Sequence, residues 1–190
     1  MLKKIISYIP GVAVPLIINF ALTMLYAAYL SPAEYGLLNI YLNTIQIIYS
    51  LTLSVFQTAA LRFYTSKEYS TEEEYISSYI FANIFTTILC TIPCGILNLF
   101  VKFNWGIILL SVGTNGLFLF ISNLHRVQFN SGRYNKMKVY AAGAALILLV
   151  LFSYTIKPLS FIWPLICVYG TYGIISIIEI FKLRKKISIT

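Results

Sequence analysis

The chain has 190 residues, of which 59% are hydrophobic and only 11% charged, and its formal net charge is +8. A soluble domain is about half apolar and about a quarter charged, so an ordinary soluble domain is excluded, and so is a disordered chain. All six acids are Glu and there is one His, which removes Asp-dependent chemistry and any His-based metal cluster.

A helix needs about 20 apolar residues to cross a hydrocarbon core roughly 30 Å thick. Six stretches reach that length and predict helices over 5–30, 32–61, 72–101, 104–125, 138–156 and 159–182. The first follows Lys3 and Lys4 as a signal peptide would, but its apolar run far exceeds the roughly 7–15 residues of a signal core, so it reads as a retained helix. Its polar or small residues Ser7, Gly11, Pro15, Asn19, Thr23 and Ala27 recur every four positions. Ser31-Pro32-Ala33-Glu34 is a capping box with Pro at the first helical position, and it starts the second helix. That helix carries Asn39, Asn43, Gln46, Ser50, Ser54 and Gln57 near a 3.6-residue period, and Arg62 closes it.

Ser70-Thr71-Glu72-Glu73-Glu74 starts the third helix, with acids at the positive end of its dipole. This helix holds Asn83, Thr87, Cys90, Cys94 and Asn98; the fourth holds Ser111, Asn115, Ser122, His125 and Arg126. The fifth has a small face, Ala141 and Ala145, suited to close packing. Lys157-Pro158 separates it from the sixth, which holds Cys167, Tyr169, Gly173, Ser176 and Glu179. Pro10, Pro15, Pro93 with Gly95, and Pro164 are candidate kinks. No linker interrupts residues 1–190, which read as one all-α polytopic membrane domain.

Of the fourteen Lys and Arg, twelve fall on one side of this topology and only Lys102 and Lys157 on the other. The positive-inside rule then places both termini, 63–75 and 127–138 in the cytoplasm and Ser31–Gly36 outside. This accounts for the basic balance without a nucleic-acid partner.

A polar stripe in a membrane helix means a partner helix or a wet cavity. For the third and sixth helices packing is the expectation. For the first two it is a cavity, because the amides of Asn39, Asn43, Gln46 and Gln57 exceed what packing requires. Arg62 and Arg126 have two readings: snorkelling anchors, or guanidinium forks that meet an anionic headgroup. Glu179 is expected to pair with Lys182, three residues on, and His125 to sit at the interface. The cysteines read as small packing residues. No nucleophile–base pair, metal-ligand set or nucleotide-binding motif can be assembled, so neither enzyme activity nor a cofactor is expected. That leaves a channel, a secondary transporter or a structural partner.

Leu30-Ser31-Pro32-Ala33-Glu34-Tyr35-Gly36, the polar helix ending Ala59-Ala60-Leu61-Arg62-Phe63-Tyr64, and Asn130-Ser131-Gly132-Arg133-Tyr134-Asn135-Lys136 resemble the polysaccharide (O-antigen and capsule) flippases of the MATE-like MOP superfamily. The resemblance implies six transmembrane helices forming one lobe of a MATE-like flippase in the bacterial cytoplasmic membrane. Family chains carry two such lobes, so it also implies a second six-helix lobe as partner, beside membrane lipid and undecaprenyl-diphosphate-linked oligosaccharide. Asn19, Thr23, Asn39, Asn43, Gln46, Gln57, Arg62 and Arg126 are the candidate cavity residues. The alternatives are a MATE-like small-solute or drug transporter, and a membrane assembly protein that transports nothing.

Overall fold

A computed structural model describes residues 6–66, 72–89, 103–156 and 158–187. Among these, all regular structure is helical: α1 (Pro10–Tyr29), α2 (Pro32–Leu51), α3 (Leu53–Ser66), α4 (Glu72–Leu89), α5 (Trp105–Val127), α6 (Ser131–Thr155) and α7 (Ile162–Ile187). Four of them, α1, α5, α6 and the Ile162–Leu183 part of α7, are long and apolar enough to cross a bilayer, the pattern of a polytopic membrane protein. The kink residues Pro93 and Gly95, with Cys90, Cys94 and Asn98, lie outside the described residues.

Three expectations change. The second helix, expected unbroken to 61, is two helices that meet at Thr52 (φ −112°, ψ −79°). Thr52 Oγ1 donates to the Ile48 carbonyl at 2.7 Å, Ser54 Oγ donates to the Ser50 carbonyl, and Thr58 Oγ1 donates to the Ser54 carbonyl at 3.0 Å. Hydroxyls that bond back to the preceding turn bend helices, and here they cluster at the break. The fifth predicted helix begins at Ser131, not 138, because Asn130 Oδ1 accepts the Arg133 N–H at 3.2 Å as an N-cap. The preceding Phe129 (φ 55°) and the bond from the Asn130 N–H to the His125 carbonyl at 2.9 Å close α5 in a left-handed C-terminal turn. Finally, Pro10 and Pro164 lie in the first turns of α1 and α7, where no intrahelical N–H is lost, so they start helices; Pro15 alone lies inside α1.

Helix α5 is the hub, touching α2, α3, α4, α6 and α7, while α1 packs along α6 and touches α2 only lightly. Small residues set the close approaches. Ala141 and Ala145 of α6 are buried, and a β-carbon on Gly173 of α7 would stand 3.1 Å from Thr114 of α5. In α4, Asn83 is 2% exposed with its amide over Gly116, and Thr87 lies over Gly113. Of the polar or small residues named on the third and sixth predicted helices, Asn83, Thr87, Gly173 and the buried Ser176 lie at helix contacts, as expected for packing groups.

Each end of the bundle is laced by polar contacts. At one end the Ser31 hydroxyl accepts the Glu34 N–H at 3.3 Å, the expected cap of α2. The Glu34 carboxylate, however, reaches the start of α7: Oε2 accepts the Phe161 N–H at 2.6 Å and the Ser160 hydroxyl at 3.3 Å. Tyr41, whose ring lies 5.2 Å from that of Phe103 and 4.8 Å from that of Phe161, accepts the Asn104 N–H at 2.8 Å.

At the other end Asn135 clamps the start of α1. Its Oδ1 accepts the Gly11 N–H at 3.1 Å and its Nδ2 donates to the Ser7 carbonyl at 2.7 Å. A β-carbon on Gly11 would lie 2.4 Å from Asn135 Oδ1, so the clamp requires Gly. Two hydrogen bonds at about 0.5–1.5 kcal/mol each set the expected loss for Asn135→Ala at roughly 1–3 kcal/mol. Gly11→Ala should cost a similar amount by displacing the same amide, so the double variant should unfold in detergent little below either single one. Additive losses would mean that the two residues act separately.

Candidate functional site

The candidate cavity residues separate into three groups. Asn19 and Thr23 on α1, and Asn39, Asn43 and Gln46 on α2, are exposed. On α2 they lie about a third of a turn round from the buried Leu38–Tyr41–Ile45–Tyr49 face, as the 3.6-residue repeat requires. Because α1 lies along α6 and α2 along α5, none of these five side chains is buried in the core of the bundle.

Gln57 stands apart. In an unbroken helix it would share the face of Asn39 and Gln46. The break at Thr52 turns it inward, where it is 4% exposed. Its Oε1 accepts the Tyr49 hydroxyl at 2.8 Å and its Nε2 donates to the Gly116 carbonyl at 2.9 Å. Both ends of the amide are therefore bonded within the protein, so Gln57 joins α2, α3 and α5.

Arg62 and Arg126 form the third group and are exposed near helix ends. The Arg126 carbonyl accepts the Tyr8 hydroxyl at 3.4 Å, and its guanidinium bears on Lys138, whose Nζ lies 4.8 Å from the centre of the Phe118 ring. These cations gather at the end of the bundle where α1 begins and α5 ends. Two neighbours there carry more than sequence suggested. Glu179 does pair with Lys182, at 2.7 Å, but it also faces His125 at 3.5 Å, and His125 is fully buried rather than interfacial. The i,i+3 spacing signalled the first contact; the second joins α5 to α7 and has no local signal.

Much of the exposed stripe is bonded to its own helices. Thr23 donates to the Asn19 carbonyl at 2.9 Å and Asn39 to the Tyr35 carbonyl at 2.9 Å, and the half-buried Thr44 next to the stripe donates to the Ile40 carbonyl at 2.8 Å. Gln46 Nε2 donates to Ser50 Oγ at 3.3 Å. An apolar groove of about 360 Å³ lies between α4 and α5, against Ile84, Ile88, Leu110 and Leu117. Among the described residues no group of three or more His, Cys, Asp or Glu side chains comes together, and Cys167 is buried as a free thiol.

No family model, curated protein or solved structure matches the chain.

Proposed function

We propose that the chain is one lobe of a membrane flippase of MATE-like architecture in the bacterial cytoplasmic membrane. Six segments cross the bilayer, α2 and α3 together making the second, and both termini are cytoplasmic. The lobe moves undecaprenyl-diphosphate-linked oligosaccharide with a second lobe facing it. The observation that carries this reading is the exposure of the amide stripe of α2 and of Asn19 and Thr23 on α1. Each amide donor or acceptor left unmet in hydrocarbon costs several kcal/mol, so a row of exposed amides, only partly bonded within their own helix, favours contact with water, sugar or protein over lipid. Arg62 and Arg126, at the basic end, suit the diphosphate, since a guanidinium offers paired donors to phosphate oxygens. The motif resemblance names the substrate class.

A second reading, a membrane assembly protein without transport, draws on the bonds of Thr23, Asn39 and Thr44 to their own helices. Polar groups satisfied in this way tolerate a dry protein partner.

Cysteine accessibility distinguishes the two. In a background free of the native Cys90, Cys94 and Cys167, single cysteines at Asn19, Asn39, Asn43 and Gln46 should react with a membrane-impermeant maleimide. Cysteines at Leu16 and Ile47, on the apolar faces of the same helices, should not. Protection of all four stripe positions in the intact membrane would remove the cavity and favour the assembly reading. Labelling of Lys67→Cys and Lys136→Cys from outside the cell would overturn the topology.

A further inference from the structure

The side chain of His125 is 0% exposed, and neither of its ring nitrogens has a hydrogen-bond partner. Its Nε2 faces Glu179 Oε2 across 3.5 Å, and that oxygen is likewise buried and without a hydrogen bond. The other oxygen, Oε1, is held at 2.7 Å by Lys182, which is 57% exposed. The Glu179 carboxylate is thus divided between an ammonium at the surface and an imidazole in the core. Buried polar atoms without partners are rare because they forfeit hydration with nothing in return. Ionisable groups in membrane helices are rarer still and usually carry function. Here two such atoms, His125 Nε2 and Glu179 Oε2, face each other where α5 crosses α7.

We propose that His125 and Glu179 form a proton-binding site that ties α5 to α7 at the basic end of the bundle. A hydronium ion delivers the proton: its O–H bond breaks as an N–H bond forms on the imidazole lone pair, a water molecule is released, and the His125–Glu179 pair passes from one negative charge to none. The long Nε2–Oε2 approach becomes a charge-assisted hydrogen bond, which is shorter and about twice as strong as a neutral one. Gln128, which caps the C-terminal end of α5, lies beside the ring and its amide oxygen can receive the second N–H.

Other charges bear on the site with opposite signs. Burial of the ring works first against a charge on it, the Glu179 carboxylate of α7 offsets that cost, Arg133 of α6 adds to it as a like charge, and Lys182 of α7 competes for the carboxylate. The Arg126 charge bears on Tyr8 and Lys138, and Lys138 lies over Phe118, two turns of α5 away from His125. The site is independent of which substrate the lobe carries, since its elements are α5, α6 and α7 alone.

His125 is the one histidine of the chain, so imidazole carbon and nitrogen NMR on the full chain in lipid nanodiscs reads a single residue. We expect one titration between pH 8 and pH 4.5. Glu179→Gln should move its midpoint down by at least one pH unit, a tenfold weaker proton affinity. Lys182→Gln, at an exposed position, should move it up by releasing the carboxylate, and Arg133→Gln should also move it up by removing a like charge. An imidazole that stays neutral down to pH 4.5 would overturn the proposal. So would a midpoint that none of the three variants moves, since a purely structural histidine is indifferent to Lys182.

Discussion

Gly116→Val is expected to be the most damaging single substitution in the bundle. A β-carbon at Gly116 would lie 2.6 Å from Asn83 Nδ2 and 2.6 Å from Leu53 Cδ1, closer than packed atoms approach. Both neighbours are buried and belong to different helices, α4 and α3, so neither can move without opening the hub. The Gly116 carbonyl also accepts from Gln57, and any shift of α5 that relieves the clash stretches that bond. Overpacking of this kind costs about 1–3 kcal/mol, and a lost buried hydrogen bond adds roughly 1–3 kcal/mol. Against a folding stability of about 5–15 kcal/mol, the sum should cut membrane abundance several-fold and lower the midpoint of thermal unfolding in detergent. Gly143→Ala is the control. Nothing lies within 4 Å of the β-carbon it would add, and replacing a helical Gly by Ala should stabilise by roughly 0.5–1 kcal/mol. Equal behaviour of the two variants would show that Gly116 is not a contact point.

The second large effect is expected at Glu34. Its carboxylate receives the Phe161 N–H at 2.6 Å and the Ser160 hydroxyl at 3.3 Å, just before α7 begins at Ile162. An anion there meets unpaired N–H groups and the positive end of the helix dipole together. The contact spans 127 residues of sequence, so it fastens the α1–α2 turn to the last helix. Glu34 is half-buried, which limits the expected loss on Glu34→Ala to about 1–2 kcal/mol. Glu34→Gln keeps an acceptor oxygen and loses the charge, and should fall between wild type and Ala. Unfolding midpoints in detergent should follow that order, and the gap between Glu and Gln should narrow in high salt. If Gln matches Glu at low salt, the charge contributes nothing and the carboxylate acts only as a neutral acceptor.

Elements governed by local rules were legible in the chain itself. Helix-forming spans follow from the length of apolar sequence a bilayer demands, and α1, α5, α6 and α7 lie where those stretches are. The cap at Ser31-Pro32 follows from a side chain that satisfies an orphan N–H group within one turn, and the described part of α4 begins at Glu72, inside the acidic run that marked a helix start. The Glu179–Lys182 pair follows from i,i+3 spacing. The start of α6 was legible too, in Asn130 followed by Ser131-Gly132-Arg133, but the basic charges there imitate a loop.

The tertiary structure decided what depends on partners far along the chain. The hydroxyls of Thr52, Ser54 and Thr58 permit a break but do not by themselves dictate one. Ser and Thr hydroxyls accompany many straight helices, and here the ladder yields because Leu53 and Gln57 gain burial against α5. The same break turns Gln57 from an apparent member of the stripe into a buried tie, while Asn39, Asn43 and Gln46, ahead of it, keep the exposure that their periodicity implies. His125 ends a helix in sequence and reads as interfacial. It is buried because α7 crosses there and brings Glu179 against it. Glu34 satisfies the capping pattern of its own helix, yet its carboxylate serves another one, since that pattern specifies the backbone of one turn and leaves the side-chain oxygen to the strongest donor nearby. Periodicity specifies which residues share a face; only packing determines what that face meets.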